Sequence, residues 1–340
     1  MYFQAEAGAT GQYYITDGIH VVSGSKAINS SGQWNSGAYF GSINDSPVTA
    51  SATVTDYEGN PSTINYNLIK ETVGPGGSFS IGGTLINGIT ATNNPTLALS
   101  LAFTAPSGIA TVAYSTNGGS TYGVAQAYST TASVPLPNVD GAYTIAIRAT
   151  TNAGNVTTYT KQVRLDRVGP TITSSITSPT NAGSYDVGQA VTLYYLASDP
   201  DNVAFLNAAI DGTTAVTSGV AFNSETLTPG THSLVITATD GLGNVTTTTL
   251  TMTVHATVGG LTTAVNDGTK GAKITSSTVS GQMLSYLSSA QSALNANNHA
   301  SAKSYLASFV SLVQAQSGVS ISTTYGALLI VWANDLISRL

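Results

Sequence analysis

One stretch constrains this chain more than any other: Ile236-Thr-Ala-Thr-Asp-Gly-Leu-Gly-Asn-Val-Thr-Thr, ending at Thr247. It is written twice more, as Ile147-Arg-Ala-Thr-Thr-Asn-Ala-Gly-Asn-Val-Thr-Thr and, more loosely, as Ala52-Thr-Val-Thr-Asp-Tyr-Glu-Gly-Asn-Pro-Ser-Thr. The shared glycines Gly59, Gly154 and Gly243 stand 95 and 89 residues apart. A period of that length is one β-sandwich, so the chain reads as a tandem array. Within each copy, apolar residues alternate before the turn, as Leu234, Ile236 and Ala238 do, which sets one strand face toward a core. The Gly-Asn pair supplies the residues that tolerate a reversal. Asp56 and Asp240, three residues before the glycine, are placed to bond the backbone of their own turn. A Val/Thr run then resumes as a strand.

The Ala-Thr-Asp-x-x-Gly-Asn-Val-Thr wording, with Val168-Gly-Pro-Thr-Ile172 opening the next unit, resembles bacterial immunoglobulin-like domains strung along secreted enzymes and surface adhesins. That resemblance implies a mainly β fold and an extracellular setting, secreted or at a cell surface. It transfers no functional residues. The expected organisation is three immunoglobulin-like units over 7–73, 80–168 and 169–256, the first of them short, with a glycine-rich link from Gly74 to Gly83. Tyr2-Phe3-Gln4 resembles the remnant of a protease-cleavage tag and is left out of the fold expectation; the numbering is expected to begin inside a longer precursor.

Beyond residue 256 the period changes. A Gly/Thr/Asp-rich linker is expected from Val258 to Lys273, followed by a helical module over 273–340. Met283, Leu287, Ala290 and Leu294, then Ala302, Leu306, Phe309 and Val313, then Leu329, Trp332 and Leu336, recur at three and four, predicting a small three-helix bundle. Ala290-Gln-Ser-Ala-Leu294, Ala302-Lys-Ser-Tyr-Leu306 and Val313-Gln-Ala-Gln-Ser-Gly318 make this tail similar to the FIMAH helical module that ends modular secreted bacterial proteins, polysaccharide-degrading ones included. Asp335 and Arg339, four apart, read as a solvated ion pair.

Composition narrows the partners. Only 8% of residues are charged, so solubility rests on Thr, Ser, Asn and Gly. The net charge is −6 and the ten Lys and Arg never cluster, which argues against nucleic acid. No cysteine offers disulfide or thiol chemistry, and no 18-residue apolar run predicts a membrane span. The histidines His20, His232, His255 and His299 lie apart, with no nucleophile-elbow pattern near a serine, and the four glutamates fall on different units. No catalytic residue is predicted and no cofactor is required.

Two constellations carry the binding expectations. Trp34, Tyr39 and Phe40, among Gly, Ser and Asn in the first unit, suit stacking against sugar, making polysaccharide or a surface glycan the candidate partner. The competing reading is that Trp34 is a buried core tryptophan. In the third unit Asp199, Asp201, Asn202, Asp240 and Asn244 fall in two loops that an immunoglobulin-like topology brings to one end. Their oxygens suit calcium, against the simpler reading that each aspartate bonds its own turn. The functional expectation is a non-catalytic spacer and binding region. Its rivals are the accessory tail of an extracellular polysaccharide hydrolase and a glycan-binding adhesin.

Overall fold

A computed structural model describes residues 1–176 and 183–340. The chain forms two compact units, Met1–Arg167 and Val168–Leu340.

The first unit opens with β1 (Tyr2–Gln4), β2 (Thr10–Thr16), β3 (Val21–Ala27), β4 (Gln33–Asn35), β5 (Ser46–Thr55) and β6 (Pro61–Lys70). Four of these pair in the order β3-β2-β5-β6, and β1 pairs with β4 as a second small sheet. Tyr2-Phe3-Gln4 is therefore part of the fold: Phe3 is buried and its ring stacks on Trp34 at 4.8 Å. Ile15, Ile28, Ile43, Val48 and Ala50 complete this modest core.

The same unit continues with β7 (Gly76–Ile81), β8 (Thr84–Ile86), β9 (Ile89–Thr92), β10 (Thr96–Thr104), β11 (Ile109–Ser115), β12 (Gln126–Ala127), β13 (Thr131–Pro135), β14 (Gly141–Thr151) and β15 (Val156–Leu165). These make a sandwich of β13-β10-β7 against β12-β11-β14-β15-β9-β8. Strict alternation in β10 buries Leu97, Leu99, Leu101 and Phe103 against Ile145, Ile147, Val163 and Leu165 of the facing sheet. The stretch expected to be a glycine-rich link is largely strand β7. Gly77 is required there because a Cβ would overlap the Ala102 carbonyl across the pair with β10.

The second unit holds β16 (Thr171–Ile176), β17 (Ser184–Asp186), β18 (Ala190–Ser198), β19 (Val203–Ile210), β20 (Thr214–Val216), β21 (Ala221–Asn223), β22 (Gly230–Asp240) and β23 (Val245–His255). They pair as β16-β18-β21 and β17-β23-β22-β19-β20. The topology repeats that of the preceding sandwich: a short early strand runs parallel beside the last one, β9 on β15 and β17 on β23. All three sandwiches end in the same hairpin, β5–β6, β14–β15 and β22–β23. The fold is mainly β, of tandem immunoglobulin-like sandwiches, as the repeat predicts.

Four helices follow, one more than expected: α1 (Val258–Lys270), α2 (Ser277–Asn295), α3 (His299–Gln316) and α4 (Thr323–Arg339). Helix α1 occupies the span read as a linker. Its glycines and threonines are weak helix formers, but burial of Leu261, Ala264 and Val265 overrides that propensity. Thr257 caps it, accepting from the Gly260 N–H at 3.0 Å. The helical core runs on into the third sandwich through Val187 and Ala256. Trp332, fully buried, donates its indole N–H to the Leu227 carbonyl at 2.8 Å. Asp335 accepts the Ala256 N–H at 3.0 Å, and Arg339, paired with Asp335, donates to the Ala256 carbonyl. The expected solvated pair is thus a clamp on the residue that links β23 to α1.

Candidate functional sites

The repeated turn closes three times on the same backbone bond, from the N–H of Asp56, Thr151 or Asp240 to the carbonyl of the asparagine four residues on, at 3.1, 2.9 and 3.1 Å. In the first copy the Asp56 N–H donates to the Asn60 carbonyl at 3.1 Å, and the Asn60 N–H and side-chain amide donate to the Asp56 carboxylate at 2.6 and 2.8 Å. Asp240 does the same for Asn244, accepting its N–H and side-chain amide at 2.8 Å each, and also accepts the Leu242 N–H at 2.8 Å. In the middle copy Thr151 replaces the carboxylate with its hydroxyl, which accepts the Asn155 N–H at 3.2 Å. Gly59, Gly154 and Gly243 sit at φ 91°, 90° and 89°, the left-handed region that a Cβ disfavours. Hydrogen bonding to the charged form holds the Asp56 carboxyl below its ordinary range.

Antiparallel pairing of β19 with β22, Val203 opposite Asp240, brings the Asp199–Asn202 loop beside the Asp240 turn, and the Gly241 N–H donates to the Asp201 carbonyl at 3.1 Å. Asp199 accepts the Asp201 N–H at 2.7 Å, Asn202 takes a left-handed conformation at φ 63° with its side chain exposed, and Asp201 is fully buried. Of the five residues grouped from sequence, Asp240 and Asn244 bond each other within their turn, while Asp199 and Asp201 share the neighbouring loop.

The aromatic patch divides between two faces. Trp34 is half-buried, stacked on Phe3 and 6.0 Å from Tyr13, and packs so closely on Gly11 that a Cβ there would meet its ring at 2.8 Å. Phe40 packs against the core of Ile15, Ile43 and Val48. Tyr39 is exposed over Gly41 and does not join them. On the outer face of the four-stranded sheet, a shallow groove of about 370 Å³ is lined by Gln12, Tyr13, Tyr14, Ser23, Gly24, Ser25, Ser51 and Thr53, with the Tyr14 ring exposed. The alternation of β2 packs the Tyr13 side chain on the core and leaves the Tyr14 ring exposed on the outer face, an arrangement that composition alone does not reveal.

Other polar groups fasten loops. Asp17 accepts the N–H groups of Ile19, His20 and Asn44 at 2.8, 2.6 and 2.8 Å. These bonds push its carboxyl far below the usual range. Asp45 likewise accepts from the Thr72 and Val73 amides and pairs with Lys70 at 3.4 Å. His232, buried, bonds Asp211 at 2.6 Å through Nδ1 and faces the Thr228 carbonyl at 2.7 Å through Nε2. Both its ring nitrogens are engaged in holding a strand end. No helix among the described residues is long and apolar enough to cross a membrane.

No family model matches the chain, and no curated protein matches it. Solved structures that resemble it include fibronectin(III)-like modules of CbhA from Clostridium thermocellum, at 15% identity and TM-score 0.29, covering 52% of this chain and 94% of that one. Another comes from a 1.5-MDa bacterial ice-binding adhesin, at 20% identity and TM-score 0.32, covering 73% and 86% of the two chains. A third is a Ca2+-stabilized adhesin of an Antarctic bacterium that binds ice, at 18% identity and TM-score 0.31, covering 75% and 68%.

Proposed function

We propose that this chain is a non-catalytic spacer and binding region of a secreted or cell-surface bacterial modular protein. The observation that carries the reading is the threefold use of one bracketed hairpin, each closing its own sandwich. A fold that spends its carboxylates on holding loops builds rigid repeated bodies, and repeated bodies set distance. The 7–73, 80–168, 169–256 and 273–340 divisions belong to the same proposal, with the second sandwich starting at β7 and the helical module at α1. The tail of an extracellular polysaccharide hydrolase would use the same parts in the same way.

The reading is tested on the purified chain with soluble and insoluble polysaccharides, following retention and release of reducing ends together. Retention without release is expected; turnover of any polymer contradicts it. A second reading, a glycan-binding adhesin, is favoured by the outer-face groove, where the exposed Tyr14 stands among the hydroxyls of Ser23, Ser25, Ser51 and Thr53 and the amide of Gln12. Tyr14→Ala then abolishes retention with the fold intact, whereas Trp34→Ala loosens the core as well. Unchanged retention in Tyr14→Ala removes that reading.

For calcium, the residues that fit a hard cation are Asp199 and the buried Asp201, because Asp240 is taken up by its turn. Calcium there raises the melting temperature of the second unit, and a chelator lowers it. Identical melting with and without chelator ends the proposal.

A further inference from the structure

Strand β6 is the edge of its sheet and the longest edge strand among the described residues, at ten residues where the others run from two to seven. Pro61 through Ile69 are all exposed. The register with β5 sets Ile64, Tyr66 and Leu68 opposite Ala52, Ala50 and Val48, so their side chains lie on the inward, core-facing side of the sheet. They are nevertheless 52%, 48% and 44% exposed, because the two-stranded β1-β4 sheet covers only part of that side. An open groove of about 580 Å³ remains between β1 and β6, lined by Tyr2, Phe3, Val54, Ile64 and Tyr66.

Natural edges are guarded by inward charges, prolines, bulges or shortness. Between Ser62 and Ile69 this edge has none of these, and its register with β5 runs without a shift. Its sequence, Ile64-Asn65-Tyr66-Asn67-Leu68, is in addition a near palindrome about Tyr66. A strand of that pattern is complementary to itself when it meets its own copy antiparallel. With Tyr66 opposite Tyr66, Ile64 faces Leu68 and Asn65 faces Asn67 across the pair. Ser62 faces Lys70, so every apolar inward side chain meets another and the one charge meets a hydroxyl. A shift by two residues in either direction breaks this matching, and a shift by one turns the inward set outward.

We infer that β6 docks a second copy of this chain, edge to edge about a two-fold axis through Tyr66, joining two four-stranded sheets into one of eight. The interface is isologous, as self-complementary edges require. Backbone hydrogen bonds supply affinity, and the paired Ile, Tyr and Leu side chains supply register.

The chain has no cysteine, so an introduced one reports the register directly. In the full chain, Tyr66→Cys sits opposite its own copy, within the span a disulfide bridges. It is expected to form a covalent dimer under mild oxidation. Asn65→Cys and Asn67→Cys are expected to cross-link with each other, when mixed, faster than either does with itself. Sedimentation of the unmodified chain from micromolar to millimolar concentration is expected to show a monomer–dimer equilibrium. Ile64→Lys and Tyr66→Lys, exposed substitutions that leave the monomer folded, are expected to shift that equilibrium to monomer. A chain that stays monomeric throughout overturns the inference. So does a dimer indifferent to both lysines, or a mixed pair that cross-links no faster than either partner alone.

Discussion

At the scale of single residues, Asp17 and Asp45 of the first sandwich and Asp240 of the third act as brackets, each accepting several backbone amides of a loop, and Asp56 brackets its turn through the N–H and side chain of Asn60. Asp240 is the clearest case: it is buried, and its carboxylate holds the Leu242 and Asn244 N–H groups together with the Asn244 side chain. Asp240→Ala leaves those donors unsatisfied and is expected to cost about 2 kcal/mol, the scale of hydrogen bonds to a charged group. Thr151→Ala in the middle copy, which loses one neutral acceptor, is expected to cost about 1 kcal/mol. Urea denaturation of both variants checks the order. The pH dependence has a definite sign. Asp17, Asp45 and Asp56 all have carboxyls held below their ordinary range by hydrogen bonds to backbone amides and to neighbouring side chains. Their contribution is fully present above the unfolded value of about 3.9 and is lost as pH falls through the lowered folded values. The first sandwich therefore weakens below about pH 4, read by the fluorescence of Trp34 in a Trp332→Phe background. Constant stability down to pH 2 contradicts this. These brackets were legible in the sequence because each bond spans four residues or fewer for Asp56 and Asp240. The bonds from Asp17 to Asn44 and from Asp45 to Thr72 join positions 27 residues apart, and no local pattern announces them.

At the scale of elements, local propensity and tertiary packing disagree in α1. Two of the glycines that made Val258–Lys273 read as a linker, Gly260 and Gly268, stand where neighbours leave no room for a side chain. A Cβ on Gly268 would run into the Tyr325 ring of α4, and one on Gly260 into the Asp186 carboxylate of β17, which also bonds the Thr257 cap. Gly→Ala inside a solvated helix stabilises by about 1 kcal/mol. Gly268→Ala is instead expected to destabilise by about 1–3 kcal/mol through overpacking, with faster proteolysis of the helical module. A rise in helical stability measured by circular dichroism would show that α1 does not pack as described. Strand β6 presents the converse. Its alternation predicts a covered face, yet the small β1-β4 sheet leaves that face open. Coverage depends on the extent of the opposing layer, which no single strand encodes. Trp34 shows the same limit: its partner Phe3 lies in a stretch that reads as a tag remnant.

At the scale of the whole molecule, a repeated 89–95-residue spacing, repeated hairpins and a repeated parallel early strand make the chain a series of similar bodies. This was legible because a repeat compares the sequence with itself and needs no energy estimate. The groove at Tyr14 was not, since it arises only when β2, β3 and β5 are laid side by side. The spacer reading requires each sandwich to resist extension as its own body. Stretching single molecules held at residues 1 and 340 measures that directly. Separate sandwiches release contour in discrete steps on the order of 250–330 Å, at up to about 3.6 Å per extended residue, after an early low-force opening of the helices. Release of the whole chain in one event would contradict the account.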